Sequence, residues 1–157
     1  MTKLEGASYG PHNEGKPGHM VILLHGYGAD GNDLIGLAPV MGPLMPDVVF
    51  YAPNAPQPCE GNPFGYQWFP LAADLSFSLD RVAEAVEPVA AWLRELAADH
   101  PSTTLLGFSQ GMAMATSLAR HMPGEIAAVV GLSLLLLVAL ALVLFRPPVK
   151  ATTYLLW

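Results

Sequence analysis

Charge is scarce in this 157-residue chain: 13% of its residues are Asp, Glu, Lys or Arg, and only seven are basic. With a net charge of −6 and no basic cluster, it lacks the cations that neutralise nucleic-acid phosphates, which excludes nucleic acid as an expected partner. Cysteine is scarcer still. Cys59 stands alone, so no internal disulfide can form, and a reducing compartment, the cytoplasm, is the expected location. The first thirty residues contain no basic segment followed by an apolar core, so no signal peptide is expected. One further absence bears directly on chemistry. No aspartate follows Asp99, and the only histidine after residue 109 is His121.

Apolar residues are plentiful, at 52% of the chain, and their pattern points to one α/β domain. Residues 1–19 are polar and rich in Gly and Pro, which reads as a loose entry segment. Met20–Leu24, Val48–Ala52, Thr103–Leu106 and Ala127–Leu132 are short continuous apolar runs, the pattern of strands buried on both faces. Between the last three lie a Pro/Gly-rich loop (residues 53–70) and two helical stretches. Leu79–Ala98 carries Val82, Val86, Val89, Leu93 and Leu96 at alternating spacings of four and three, with Ser78 as N-cap, Asp80 in its first turn and a kink or break at Pro88. Gln110–Arg120 is the second helix. Short buried strands alternating with helices predict a mostly parallel sheet with flanking helices. No internal repeat is present.

The segment "TTLLGFSQGMAMATSLARH" places Ser109 between Gly107 and Gly111, after a strand and before a helix. That is the setting of a nucleophile elbow, in which a tight turn lifts a hydroxyl above the sheet. Side chains at the two glycine positions would collide with neighbouring backbone. The helix that follows favours developing negative charge at its N-terminus, and the backbone N–H of Gln110 is one donor to an oxyanion. The alternative is a chance G-x-S-x-G, which the strand-turn-helix context disfavours.

A second glycine loop, "GYGADG" (residues 26–31), follows the first strand. A dinucleotide site would require an acid at the end of the next strand, where Pro53 and Asn54 stand instead, and a sound helix where Pro39 intervenes. The preferred reading is a loop that donates the second oxyanion N–H, from the backbone of Tyr27. His25, at the strand end, is expected to order this loop by hydrogen bonds rather than act as a base.

The segments "VILLHGYGADGNDLIGLA", "YAPNAPQPCEGNPFGYQWF" and "LLGFSQGMAMATSLA" together resemble the carboxylesterase/phospholipase family of α/β-hydrolases, which includes acyl-protein thioesterases. The motifs LHG-x-G, AP-x-x-P, WF and GFSQG stand in family order over residues 20–133. The resemblance implies an α/β-hydrolase fold and hydrolysis of acyl esters, thioesters or lysophospholipids without cofactor or metal. By position it makes Ser109 the nucleophile and gives the oxyanion hole to Tyr27 and Gln110. It also places Trp68 as an aromatic lining the acyl side of the cleft, although a Trp-Phe pair in a loop is equally a core anchor.

The resemblance also implies an aspartate on one later loop and a histidine on another, and neither loop is present. His121 lies at the far end of the elbow helix, about 18 Å along its axis from Ser109, and Glu125 is no better placed. The expected organisation is therefore a loose segment (1–19), a partial hydrolase domain incomplete at its C-terminal side (20–133) and an atypical Leu-rich tail (134–157). Residues 126–145 are uncharged and long enough to cross a bilayer as a helix. Membrane tethering through that run is one reading. The favoured one treats 127–132 as a strand of the family sheet followed by an altered tail. Such a chain is an impaired hydrolase or a non-catalytic binding module, prone to self-association through a bare sheet edge at the fourth strand.

Overall fold

The computed structural model of the chain describes residues 4–13, 15–74, 76–132 and 152–156. Gly6–Tyr9 forms strand β1 and His19–Leu24 strand β2. Two short helices, α1 (Gly31–Ile35) and α2 (Ala38–Met41), lead to β3 (Val48–Pro53). A hairpin of β4 (Gln57–Cys59) and β5 (Asn62–Gln67) precedes helix α3 (Leu79–Ala97). Strand β6 (Thr103–Phe108), helix α4 (Gln110–His121), β7 (Ala128–Leu132) and β8 (Thr152–Leu156) complete the order.

Among the described residues six strands make one sheet in the order β1-β3-β2-β6-β7-β8, parallel throughout except where β1 pairs with β3. The continuous apolar runs are explained by burial on both faces. Along β2, Met20, Ile22 and Leu24 enter one apolar cluster while Val21 and Leu23 enter the other. The first cluster is completed by α3 and α4, through residues such as Val89, Leu93, Met114 and Leu118. The second lies under α1 and α2, with Ala38 and the partly buried Leu34, Ile35 and Met41.

Helix α3 presents Val82, Ala85, Val86, Val89, Ala90 and Leu93 to the core. Pro88 neither breaks nor divides it. Pro88 and Glu84, whose carbonyl the proline cannot bond, are both on the exposed side, while the buried stripe holds both turns in place.

Several elements depart from the sequence expectation. The segment before residue 20 is not wholly loose: Leu4 is buried, Asn54 N–H donates to the Glu5 carbonyl (2.7 Å), and β1 pairs with β3. Its small residues suit that place, since a side chain at Gly6 would strike the Ala52 carbonyl. The loop expected at 53–70 contains the β4–β5 hairpin, whose Pro58 and Pro63 are exposed in a two-stranded ribbon that tolerates missing donors. The bare edge expected on the fourth strand is covered, because β8 pairs with β7 from Ala128↔Thr152 to Leu132↔Leu156.

The long apolar run begins as sheet, since Ala128–Leu132 is β7; residues 133–151 lie outside the described residues. Among the described residues no helix is long and apolar enough to cross a membrane.

Candidate active site

Strand β6 stops at Phe108 and α4 starts at Gln110, so a single residue reverses the chain. That residue is Ser109, with φ 52° and ψ −114°, the one non-glycine residue at positive φ among the described residues. Such a conformation is costly for an L-residue and persists only where the surroundings impose it. Here the imposition is visible. Ser109 N–H donates to the Leu132 carbonyl at the end of β7 (2.8 Å), and its carbonyl accepts from Met112 N–H (3.0 Å) to start the helix.

The flanking glycines are required by space. A Cβ on Gly107 would lie 2.5 Å from the Gly111 carbonyl carbon and the Met112 nitrogen. One on Gly111 would lie 2.5 Å from the Leu24 carbonyl carbon and 2.6 Å from the His25 oxygen. The start of α4 is thus pressed against the end of β2, where the glycine loop begins. Gly26 of that loop faces the Phe108 ring, 3.2 Å from where its Cβ would be.

The glycine loop is held by the hairpin. Gly28 N–H donates to the Tyr66 carbonyl (2.9 Å), Tyr66 N–H to the Ala29 carbonyl (2.8 Å), and the Asn62 amide to the Gly28 carbonyl (2.7 Å). The Tyr27 hydroxyl accepts from Gly61 N–H (3.1 Å), and its hydrogen bond with the Cys59 thiol holds the phenol above its ordinary pKa. Asp30 and Asp33 form a reciprocal capping box on α1. Among the described residues the N–H of Tyr27, in the loop, and that of Gln110, the first residue of α4, make no hydrogen bond. An N–H at a helix start and one in a pinned loop are donors suited to an anion.

His25 orders the loop. Fully buried, it donates from Nδ1 to the Gly26 carbonyl (2.7 Å) and accepts at Nε2 from Ala55 N–H (2.9 Å), a pattern only the neutral ring satisfies. Burial lowers its pKa, outweighing the hydrogen bond to Gly26 and the charges of Asp30 and Asp33.

Trp68, for which two roles stood open, is fully buried in the first apolar cluster, and its indole N–H donates to the His25 carbonyl (2.8 Å). The Gln110 side chain, which the sequence pattern did not single out, is buried as well. Its Oε1 accepts from Trp68 N–H (2.9 Å) and its Nε2 donates to the Phe69 carbonyl (2.7 Å). No pattern in the sequence distinguishes this glutamine from a solvent-facing one.

All five histidines lie among the described residues, and each has a partner other than Ser109. His121 is paired with Glu87 (2.7 Å), and Glu125 with Arg94 (2.9 Å). His19 bonds Thr104, His100 bonds Tyr51, and His12 packs edge-on against the Tyr9 ring. Among the described residues no three of His, Cys, Asp and Glu gather as a metal site.

Residues 12–146 match the model of the Phospholipase/Carboxylesterase family. Esterase YpfH of Escherichia coli (strain K12) is 29% identical over 115 residues, which are 69% of this chain and 49% of that protein. The chain therefore spans about half the length of this curated relative. The crystal structure of esterase PE8 superposes with a TM-score of 0.81 at 30% identity, over 99% of this chain and 89% of its own. A carboxylesterase from Mesorhizobium loti gives a TM-score of 0.65 at 26% identity, over 80% and 58%. These similarities carry the α/β-hydrolase fold with them.

Proposed function

Because the chain belongs to the Phospholipase/Carboxylesterase family, whose members are ester hydrolases, we propose that it is a serine carboxylic ester hydrolase with Ser109 as its nucleophile. The observation that supports this most is the conformation of Ser109, a non-glycine residue at φ 52° between a strand and a helix. In the proposed reaction Ser109 Oγ bonds to the acyl carbonyl carbon. The carbonyl oxygen takes up negative charge, and the N–H groups of Tyr27 and Gln110 stabilise it. Collapse of that intermediate expels the alcohol or thiol, and water then releases the acid and restores the serine. The substrate class is a short or medium acyl ester, thioester or lysophospholipid, met in the cytoplasm, with no nucleic acid, cofactor or metal involved.

These 157 residues by themselves turn such substrates over slowly. No aspartate follows Ser109, and every histidine has other partners, so the serine proton passes to solvent rather than to a fixed base. Loss of the base from a serine triad costs on the order of 10^6-fold in turnover. The same engagement of the histidines favours a second reading, a binding module that retains the cleft of an esterase without its turnover. Tethering through residues 126–145 rests on a run mostly outside the described residues.

A fluorophosphonate probe separates the two readings. Attack by Ser109 forms an Oγ–P bond and releases fluoride. Slow, saturable labelling that vanishes in Ser109→Ala is expected of the hydrolase. A chain that stays unlabelled over hours, like the variant, leaves only the binding module.

A further inference from the structure

The two oxyanion donors belong to segments far apart in sequence, and their separation must be set by something. Pairing between β2 and β6 ends at Leu24↔Gly107, and no backbone hydrogen bond among the described residues joins the glycine loop to the elbow beyond that point. A third segment, Trp68–Phe69, bridges them. We infer that the Gln110 side chain is the positioning group of this site, acting through Trp68 and His25 to hold the Tyr27 loop in place against the elbow. This rests on the reading of Tyr27 and Gln110 as oxyanion donors.

The connection is continuous. The Gln110 amide meets the Trp68 N–H with its oxygen and the Phe69 carbonyl with its nitrogen, at 2.9 and 2.7 Å. Only one orientation of the amide satisfies both partners, so the side chain behaves as a neighbouring strand would. From Trp68 the path continues through the indole N–H to the His25 carbonyl (2.8 Å) and through the two rings, whose centroids are 5.2 Å apart. His25 then fixes Gly26, the residue before Tyr27. Every member is buried: Gln110 is 6% exposed, and Trp68 and His25 not at all. Gln110 therefore has two separate roles. Its backbone N–H is one donor, and its side chain aligns the segment carrying the other.

A buried network of this kind is fully satisfied or badly placed, with little between. Replacing Gln110 by methionine keeps the volume and leaves the Trp68 N–H and Phe69 carbonyl without partners. The indole link remains, but the segment it hangs from is released. In Trp68→Phe the opposite bond is lost, while both glutamine bonds are kept.

The test combines exchange and labelling on the full chain. In Gln110→Met, exchange of the Trp68 indole N–H, followed by NMR, should rise at least tenfold under conditions where unfolding remains cooperative. Phosphonylation of Ser109 should slow at least tenfold in Gln110→Met and in Trp68→Phe. Val48→Ala, a cavity in the other apolar cluster at the start of β3, serves as the stability control and should leave the labelling rate unchanged at 25 °C. An unaltered indole exchange rate in Gln110→Met overturns the inference. So does a control that slows labelling as much as the two variants. If the wild-type chain itself resists the probe, the nucleophile reading fails, and the exchange experiment still decides whether Gln110 governs the Trp68 contact.

Discussion

His25 shows how one residue couples the loop to pH. Its Nδ1 faces a carbonyl and its Nε2 faces the Ala55 N–H, so a proton added at Nε2 would point at another donor. Burial holds the folded-state pKa below the ordinary histidine value of about 6.5. The unfolded chain therefore binds more protons below pH 6.5 than the folded one does. His25 supports the folded state fully above that pH, and the support is lost as pH falls from 6.5 toward the lowered folded value. A single such group contributes a slope of at most about 1.4 kcal/mol per pH unit in that window. His19, also lowered by burial, adds in the same direction. Urea unfolding at pH 7.5, 6.5 and 5.5 is expected to show stability falling across the last step, with a shallower fall in His25→Asn. Equal slopes in the two proteins would refute the assignment. Such a role could not be read from the sequence alone. "LLHGYG" suggested a loop-ordering histidine, but the Ala55 donor comes from a segment thirty residues away.

Among the elements, those that bury a periodic face were readable and those that pair through backbone were not. Strands β2, β3, β6 and β7 announce themselves as apolar runs, and α3 by its four-and-three spacing, because in each the side chains themselves carry the burial. Strand β1 (GASY) and the hairpin around Pro58, Pro63 and Gly65 carry few apolar side chains, and what places them is backbone bonding to partners distant in sequence. Within the site, the elbow glycines were readable from the motif, whereas the burial of Trp68 and the Gln110 amide depended on tertiary packing. Pro88 within α3 offers a test of the packing account. If the buried stripe overrides the missing Glu84 bond, restoring that bond should stabilise the helix. Interior proline costs about 3 kcal/mol relative to alanine, offset here by helix adaptation and by about 0.4–1 kcal/mol of unfolded-state entropy. Pro88→Ala is expected to gain about 1–2 kcal/mol, seen as a rise in Tm. An unchanged or lower Tm would mean that the exposed turn gains nothing from the restored donor.

At the scale of the whole molecule, the far edge of the sheet bears on the elbow. Leu132, the last residue of β7, accepts the Ser109 N–H, so whatever steadies β7 steadies the nucleophile. Strand β8 does so along the whole length of β7, from Ala128 to Leu132. Without it, β7 would present unpaired N–H and C=O groups, a template for another copy of the chain. A chain ending at Ala151 keeps all of the apolar run 126–145, so a comparison with the full chain isolates the edge from the run. The shorter chain is expected to form larger species in sedimentation velocity at equal concentration. Phosphonylation of its Ser109 should also be slower, because β7 then has a partner on one side only. The two effects are linked through the single bond from Ser109 to Leu132. Larger species with unchanged labelling would mean that the edge governs association while the elbow stands without it; identical profiles in both experiments would mean that β8 does not guard β7 in solution.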